Sequence, residues 1–293
     1  MRWSDILRAA FENLMRRKLR STLTMLGVLI GTAAIVVTIS LGHGAEYTQT
    51  RALSEATNLM LITVQPRYDT GGGELGSRRV TKITDSVLAD LRRIDGVEAA
   101  TPLVMVWGNA SFVLRTGRYE TYAMMTAVDP AAFAKIQKLK TGRYFTGNTD
   151  RMEFIMSEMS MIGFVDTKKK DPYAGYVDVY TLLTEGKPLP LPDIKWLSAR
   201  YEMAIQWQEY DESNADGEPT ERSLTFAGRM MGTMEASLYD WTFSGGPVVN
   251  LNWLKRFYKT NRDAIKELNF VDLSSYDTVL VLAQSVDQVK DIT

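Results

Sequence analysis

The sequence predicts an α+β protein in which an N-terminal transmembrane helix and a stalk carry an extracytoplasmic α/β domain with an inserted β-rich subdomain. Three observations predict this class. Residues 21–42 carry no charge, residues 59–136 follow a strand, helix, strand, strand, helix order, and residues 201–226 alternate apolar and polar side chains. These patterns are typical of a membrane span, a small α/β sandwich and strands with one buried face, respectively.

The uncharged stretch has the sequence STLTMLGVLIGTAAIVVTISLG. At roughly 1.5 Å per residue it spans about 33 Å, which is enough to cross a hydrocarbon core of roughly 30 Å. A cleaved signal peptide and a buried core helix are the alternatives. The length of the apolar run and the patterned leader before it favour a membrane anchor. Residues 43–58 contain no proline and continue a helical pattern, which predicts a stalk.

The leader, residues 1–20, predicts the orientation. It contains six Lys or Arg residues against two acidic ones. By the positive-inside rule the N-terminus is cytoplasmic, and residues 43–293 are extracytoplasmic. The basic residues that set this orientation directly precede the span: Arg16, Arg17, Lys18 and Arg20. Apolar residues at helical spacing predict that the leader is an amphipathic helix on the cytoplasmic membrane surface, and they include Trp3, Ile6, Leu7, Phe11 and Leu14.

Gly27 and Gly31 form a Gly-x-x-x-Gly pair within the span. Such a pair lets the backbones of two helices approach closely, so the two glycines are a candidate helix packing site. Glycine is also common in lipid-facing helices. A pair that faces lipid without a partner is therefore the alternative.

The composition excludes several function classes. Subtracting the +4 of residues 1–20 from the net charge of −1 leaves −5 on the remainder, so no basic field favours nucleic acid. The chain has no cysteine, which excludes disulfides, thiolate zinc sites and a cysteine nucleophile. It also lacks the phosphate-loop pattern G-x-x-x-x-G-K-[ST]. We expect no catalytic residue, no cofactor and no metal site.

Two local patterns resemble ligand sites only in part. Gly71 to Gly76 matches G-x-G-x-x-G, but no helix N-terminus follows to receive a pyrophosphate. Residues 212–223 match part of a calcium loop, but Ser223 stands where a bidentate carboxylate is needed. A set of aromatic residues is expected to belong to the core, with a ligand cleft as the alternative: Trp196, Tyr201, Trp207, Tyr210, Trp241, Phe243, Trp253 and Tyr258.

The last residues predict the start of a helix. Ser285 and Gln288 have the spacing of a capping box, and Val289 and Ile292 begin an apolar face. No C-terminal cap follows before Thr293. We therefore expect the natural polypeptide to continue.

Taken in order, several segments resemble the N-terminal part of MacB/FtsX-type ABC transporter permeases, also called the mechanotransmission or type VII permeases. The segments are RRKLRSTLTMLGVLIG, ATNLMLITVQP, LRRIDGVEAATPLV, MTAVDPAAFA, LKTGRYF and YDTVLVLAQSVDQVKDI. The resemblance depends on their order and spacing across most of the chain. It is weakest over residues 165–222.

The resemblance implies a transmembrane helix 1 and a MacB-like periplasmic core domain. In this arrangement a porter-like α/β domain, residues 59–150 plus 245–293, carries an inserted β-rich (Sabre-like) subdomain, residues 151–244. Its location would be a bacterial cell (inner or plasma) membrane. The chain would be a fragment of a permease subunit that lacks the later transmembrane helices.

The resemblance also implies partners and an activity. Family members pair with a cytoplasmic ABC ATPase subunit and with a second permease copy or paralogue, and they contact membrane lipid. ATP hydrolysis on the separate subunit would move the extracytoplasmic domain and expel a peptide, lipid-like or antibiotic substrate, so the chain itself would not be an enzyme. The alternative is a single-pass membrane-anchored extracytoplasmic binding or scaffold protein.

Overall fold

The computed structural model describes residues 3, 18–56, 59–69, 78–79, 81–106, 110–147, 150–171, 177–209, 220–237, 242–265, 268 and 273–292. The chain divides into two compact units, Met1–Ser54 and Glu55–Thr293. The first unit contains most of one long helix, and the second contains all the strands that the structure describes.

Seven helices are described: α1 (Lys18–Ala56), α2 (Asp85–Leu91), α3 (Pro130–Ile136), α4 (Glu158–Met161), α5 (Val179–Thr184), α6 (Leu251–Thr260) and α7 (Val289–Ile292). Fifteen strands are described: β1 (Leu61–Val64), β2 (Tyr68–Asp69), β3 (Arg78–Arg79), β4 (Val97–Pro102), β5 (Val104–Val106), β6 (Ala110–Thr116), β7 (Tyr119–Tyr122), β8 (Met125–Val128), β9 (Thr141–Gly142), β10 (Met152–Ser157), β11 (Val165–Asp166), β12 (Tyr201–Glu209), β13 (Thr220–Met234), β14 (Val248–Asn250) and β15 (Val279–Ala283).

Helix α1 runs for 39 residues without a break. Its sequence contains no proline, so no backbone N–H is lost along it. The hydroxyls of Thr24, Thr32 and Thr38 donate to carbonyl oxygens three or four residues earlier, at 2.8 to 3.0 Å. These threonine hydroxyls are therefore satisfied within the helix itself.

A three-stranded antiparallel sheet has the order β1-β15-β4. All five residues of its central strand, VLVLA, are buried, as the continuous apolar run predicts. Helices α2 and α3 contact β4. Pro130 occupies the first turn of α3, and the carboxylate of Asp129 caps it by accepting hydrogen bonds from the amides of Ala131 and Ala132, both at 3.0 Å.

A ten-stranded sheet has the order β11-β7-β6-β12-β13-β10-β14-β8-β5, with β9 paired to β13. Most of its pairings are antiparallel, but β10 runs parallel to β13, and β14 runs parallel to β8. Strands β7 and β8 lie toward opposite ends of this order, although only residues 123 and 124 separate them in the chain. The sheet therefore curls until its two ends meet at one continuous segment.

This closing segment is a long hairpin whose described strands are β5 and β6 on one side and β7 and β8 on the other. Its distal half enters the sheet through β6, which pairs with β12, and its proximal half enters through β8, which pairs with β14. Within the hairpin, β5 pairs with β8, and β6 pairs with β7. The pairing register differs between the two halves, since Val104 lies opposite Ala127 whereas Val113 lies opposite Tyr122. Each half also presents a different strand to the rest of the sheet.

Two hydrophobic clusters form the core of the second unit. The larger one includes Phe112, Leu114, Phe154, Met203 and Met230, which belong to four strands of the ten-stranded sheet, β6, β10, β12 and β13. The smaller one joins both sheets through Leu280 and Leu282 of β15, Phe133 of α3 and Ile155 of β10. Phe133 is completely buried and makes an edge-to-face contact with Phe243, with ring centroids 5.2 Å apart.

Helix α6 packs an aromatic face against β13. Trp253 stacks on Phe257 with ring centroids 5.2 Å apart, and both rings contact Phe226 of β13 at 5.6 and 4.7 Å. The Asn250 side chain caps the helix by accepting a hydrogen bond of 2.8 Å from the amide of Asn252.

The predicted class, an apolar N-terminal helix followed by a mixed α/β domain, is confirmed. The division into residues 59–150 plus 245–293 and residues 151–244 stays a prediction. Strands from both sides of that division share the ten-stranded sheet, since β6 pairs with β12. At the C-terminal end, residues 286–288 form a turn, and the expected helix begins only at Val289.

Candidate functional site

Among the described residues, one segment has the length and composition of a membrane span, Thr22–Tyr47 within α1. Its 26 residues measure about 39 Å at roughly 1.5 Å per residue, longer than a hydrocarbon core. None of the apolar side chains in its central window is buried, and Ile30, Ile35 and Leu41 are 60–69% exposed. A helix that is apolar on all sides and unburied has the character of a lipid-facing segment.

Gly27 and Gly31 lie one turn apart on the same face of this span. A β-carbon built on either glycine meets nothing within 4 Å. The face therefore has room for the close approach of another helix. Nothing in the single chain decides between a packing face and a lipid-facing one, so the helix packing role stays a prediction.

Most of the basic and amphipathic leader lies outside the described residues. Ile6, Leu7, Phe11, Leu14, Arg16 and Arg17 all fall there. Trp3 is described as helical and is 82% exposed. Lys18 begins α1, and Arg20 lies in its first turn, directly before the apolar segment. The predicted amphipathic and orienting roles remain predictions.

The first and last described strands of the second unit pair with each other. Strand β1 pairs antiparallel with β15, so Leu61 lies opposite Leu282. The amide of Ala283 donates to the carbonyl oxygen of Met60 at 2.8 Å, and the amide of Gln284 donates to that of Gly96, also at 2.8 Å. A displacement of residue 60 would therefore act directly on the central strand of the three-stranded sheet.

A polar cluster of three residues ties α2 to α6. The amide of Tyr276 donates to the carbonyl oxygen of Ile83 at 2.7 Å, and its hydroxyl donates to Asp85 Oδ1 at 2.5 Å. Lys255 Nζ donates to the same hydroxyl at 2.9 Å and lies 3.3 Å from the Asp85 carboxylate. Tyr276 is 1% exposed, so this cluster closes over a buried ring.

The charges in this cluster support one another. The hydrogen bond from Tyr276, together with the Lys255 ammonium, lowers the pKa of Asp85 despite some burial. Burial and the hydrogen bond to Asp85 raise the pKa of the Tyr276 hydroxyl. Burial opposes the charge of Lys255, but its contacts with Tyr276 and Asp85 raise its pKa overall. Asp85 and Lys255 are charged and Tyr276 is neutral at pH 7, which suits a structural tie rather than a nucleophile or base.

A polar cavity of about 880 Å³ lies at one end of β6, β12 and β13. Its described lining consists of Ala110, Ser111, Gln206, Trp207, Gln208, Glu209, Glu221, Arg222, Ser223 and Leu268. Arg222 Nε is 2.6 Å from Glu209 Oε2, so these two charges are paired with each other. The cavity has the volume of a small-molecule site, but its walls lack the apolar surface that such sites usually carry.

Several predicted aromatic residues occupy the core, and one lines the cavity. Tyr201, Phe243 and Trp253 are at most 5% exposed, and burial raises the pKa of Tyr201, whose hydroxyl donates to the Trp196 carbonyl at 2.8 Å. Trp207 is half-buried and lines the cavity. Tyr210 and Trp241 lie outside the described residues. Among the residues that the structure covers, no three His, Asp or Glu side chains are placed to hold a metal ion.

Sequence reasoning missed the Asp85, Lys255 and Tyr276 cluster. Asp85 and Lys255 are 170 residues apart in the chain, and Asp85 and Tyr276 are 191 apart. No local spacing relates them. The one signal in the sequence was a tyrosine, Tyr276, at the start of an apolar strand, where its hydroxyl would require a partner.

Residues 21–157 match the family described as the MacB-like periplasmic core domain. The match begins at the apolar helix and ends with the last residue of β10.

The curated relatives each match about half of the chain's length. Over 132 residues the chain is 30% identical to the macrolide export ATP-binding/permease protein MacB of Shewanella oneidensis, covering 45% of this chain and 19% of that protein. It is 34% identical over 151 residues to MacB of Rhodopseudomonas palustris, covering 49% and 21%. It is 24% identical over 143 residues to the ABC transporter permease YknZ of Bacillus subtilis, covering 48% and 35%. The chain thus spans between a fifth and about a third of these relatives.

Among solved structures, the extracellular domain of the noncanonic ABC-type transporter YknZ from Gram-positive bacteria is similar to this chain. The TM-score is 0.40 at 16% identity, with 79% of this chain and 88% of that chain covered.

Proposed function

We propose, from the premise that residues 21–157 belong to the N-terminal region of MacB/FtsX-type permeases, that this chain is part of the permease subunit of an ABC transporter. Helix α1 anchors it in a bacterial cell membrane and carries an extracytoplasmic domain. A separate cytoplasmic ABC ATPase subunit hydrolyses ATP, and this chain is not an enzyme. The observation that carries the proposal is the continuous chain from a 26-residue apolar segment into a MacB-like periplasmic core domain.

The proposed topology has a cytoplasmic N-terminus and an extracytoplasmic second unit. The support is the excess of Lys and Arg in residues 1–20 and the uncharged span after them. The leader, residues 1–20, then lies against cytoplasmic lipid. The matched family is named for a periplasmic domain, which agrees with this side for residues 59–157.

The proposed mechanism is mechanical. Helix α1 continues beyond the apolar segment to Ala56, which gives a stiff path along its length. In the second unit, β1 is hydrogen-bonded to β15, and the Asp85, Lys255 and Tyr276 cluster ties α2 to α6. A pull transmitted to β1 would therefore reach β15, the central strand of the three-stranded sheet. Through the Asp85, Lys255 and Tyr276 cluster it would also reach α6, which packs against β13 of the ten-stranded sheet.

Two features of the proposal concern partners and cargo. Gly27 and Gly31 would pack against the equivalent helix of a second permease copy or a paralogue, because close backbone approach stabilises helix pairs in lipid. The substrate would be a peptide, a lipid-like molecule or an antibiotic, expelled by movement of the extracytoplasmic domain. The MacB relatives are named for macrolide export.

A second candidate is a membrane-anchored binding or scaffold protein. The cavity of about 880 Å³ beside Trp207 favours it, since a polar cleft of this volume could hold a ligand without any ATP-driven motion. The two candidates differ in one measurable respect. Only the permease requires the second unit to respond to ATP on the cytoplasmic side.

This difference can be measured on the full-length natural chain in its own membranes. Lys168 is exposed and residues 1–293 contain no cysteine, so K168C gives a single labelling site once any cysteine elsewhere in the full-length chain is replaced. For a permease, ATP enclosed in resealed, right-side-out vesicles should change the rate at which an external reagent labels K168C. Inserting Gly-Pro after Thr48 should abolish the change, because the pair breaks the helix, while ATP hydrolysis continues. The matched control inserts Gly-Pro after Lys187, in a described loop, and should keep the response.

If ATP leaves the K168C labelling rate unchanged in the uninterrupted chain, the permease proposal is wrong and the binding protein is favoured. If the response survives the insertion after Thr48, the permease proposal stands without the mechanical path through α1. A tagged chain that brings no ATP-hydrolysing protein with it from the membrane would also contradict the proposal.

A further inference from the structure

Strand β13 is longer than the strands beside it, and part of one edge has no neighbour. One edge pairs with β12 over residues 220–228 and with β9 at residues 232–233. The other edge pairs with β10 over residues 228–234. In the part of the chain that the structure describes, no strand lies against this second edge over residues 220–227. We call residues 220–227 the free edge.

The free edge is accessible and long. Six of its eight side chains are exposed, and Leu224 and Phe226 are half-buried. Eight residues extend about 26 Å at roughly 3.3 Å per residue. An edge of this kind presents a row of N–H and C=O groups that can pair with another strand. Its sequence, TERSLTFA, contains no proline, and the register shift of the β10 pairing lies between Phe154 and Ile155, outside the free edge.

The two faces of the free edge differ in character. Leu224 and Phe226 share the face toward α6, where Phe226 contacts Trp253 and Phe257 at 5.6 and 4.7 Å. On the opposite face, Ser223 and Thr225 are exposed. A strand added at this edge would extend the apolar face beside Leu224 and the polar face beside Ser223. The occupant must therefore alternate apolar and polar residues in the same way.

We propose that the free edge pairs antiparallel with the free edge of a second copy of this chain, about a two-fold axis at Leu224. The same sequence supplies the alternation that this edge requires. In this register Leu224 lies opposite Leu224 of the second copy, Arg222 lies opposite Phe226, and Ser223 lies opposite Thr225. The pairing covers residues 221–227 and ends there, because Met152 of β10 already pairs with Gly228.

Charge favours this register over the registers centred at Arg222 and at Ser223. An axis at Arg222 would place two guanidinium groups directly opposite each other, which destabilises a strand pair. An axis at Ser223 would leave them as diagonal neighbours. With the axis at Leu224, Arg222 faces an aromatic ring, which favours a cation. Glu221 then faces Ala227, so no like charges oppose each other.

The absence of cysteine makes the contact directly testable. Residues 1–293 contain no cysteine, so once any cysteine elsewhere in the full-length chain is replaced, one introduced cysteine can form a disulfide between copies but not within a copy. Residues directly opposite in an antiparallel pair have Cα atoms roughly 4.5–5.5 Å apart, within the range that a disulfide spans. In the full-length chain in native membranes, L224C should form roughly tenfold more disulfide dimer than E202C under a mild oxidant, since only opposed positions come within this range. Glu202 is an exposed residue of β12, the strand that pairs with the other edge of β13.

A second pair of variants keeps the test valid if L224C lowers the yield of folded protein. Ser223 and Thr225 are exposed, so cysteine there disturbs no core contact. S223C and T225C chains produced together should form a mixed disulfide dimer, whereas S223C alone should not exceed E202C. The proposal is overturned if S223C alone crosslinks in place of L224C, or if neither L224C nor the mixed pair exceeds E202C. Occupation of the edge by a strand of another protein would give that second result.

This contact rests on the proposed function only in naming a second permease copy as the occupant. Repeating the L224C measurement in a chain that also carries Gly27→Leu and Gly31→Leu separates the two. Dimer that persists there supports pairing through the free edge independent of helix packing. If L224C forms the dimer in the parent chain but not in the Gly27→Leu, Gly31→Leu chain, the free edge does not pair independently of the helices. That result would overturn this inference and leave the helix packing proposal in place.

Discussion

Gly142 is a position where a single methyl group should sharply destabilise the second unit. It lies in β9 with a φ of +87°, a backbone conformation that L residues with a side chain disfavour. A β-carbon built there lies 2.3 Å from the carbonyl oxygen of Met231 and 2.6 Å from Cα of Gly232. Both neighbours are backbone atoms of β13, so no side chain can rotate away, and the two strands must separate.

The expected cost of Gly142→Ala has two parts. The left-handed conformation costs roughly 1 to 2 kcal/mol for alanine. Separation of the strands weakens the bonds from Lys140 N to Thr233 O at 2.8 Å and from Arg143 N to Met231 O at 2.9 Å. At about 1 kcal/mol for each hydrogen bond, the total is about 3 to 4 kcal/mol. For a unit of this size, 1 kcal/mol lowers Tm by roughly 2–4 °C, so we expect a decrease of about 6–16 °C.

The matched control is Gly186→Ala. Gly186 has a similar φ of +67°, but its β-carbon position meets nothing within 4 Å. It should lower Tm by only about 2–8 °C, from the backbone conformation alone. Thermal unfolding of the purified chain in detergent, followed by intrinsic fluorescence, measures both variants. Equal decreases in Tm for the two variants would refute the argument that close approach between β9 and β13 dominates at Gly142.

Three further predictions concern the Tyr276 hydroxyl, the glycine pair of α1 and the membrane topology. Tyr276→Phe removes a hydroxyl that makes two hydrogen bonds and should cost about 1–3 kcal/mol at pH 7, measured by thermal unfolding. That hydroxyl lowers the pKa of Asp85 below its ordinary value of 3.8, so the stabilisation is present above pH 3.8 and is lost as the pH falls through the lower folded pKa. The cost of the variant should therefore shrink toward pH 2. A cost that stays constant with pH would contradict this. Replacing both Gly27 and Gly31 by Leu should weaken self-association of α1 in membranes without preventing insertion, whereas Leu at the exposed Val36 should not. A membrane-impermeant thiol reagent should label K168C but not D5C in intact cells, and equal labelling of both would reverse or remove the proposed topology.

The parts of the fold that the sequence predicted are those with a local cause. The charge-free run of residues 21–42 predicted the apolar part of α1, and the Asp129 and Pro130 pair predicted the start of α3. The apolar sequence VLVLA predicted a buried strand, which is β15. Each of these depends on the chemistry of neighbouring residues, so no knowledge of the tertiary structure was required.

The parts that could not be predicted depend on pairings between distant segments. Nothing local indicates that the hairpin of β5 to β8 enters one sheet twice, because the change of partner depends on where two remote strands, β12 and β14, lie. The same holds for the Asp85, Lys255 and Tyr276 cluster, whose members are ordinary residues until the fold assembles them. The predicted site residues in α1 and in the leader remain predictions, since their partners would be lipid or another chain.

The antiparallel pairing of β1 with β15 makes the second unit exchangeable. Since Ala283 N lies 2.8 Å from Met60 O, everything between these residues is inserted at what is, in space, a single junction. A different domain with the same close spacing of its ends could take its place without altering the separation of the chain segments attached to it. Insertions and deletions within residues 61–282 are likewise decoupled from that separation. Such a junction allows the sequence between residues 60 and 283 to diversify without moving these two ends apart, and a chimaera joined at residues 60 and 283 would test this directly.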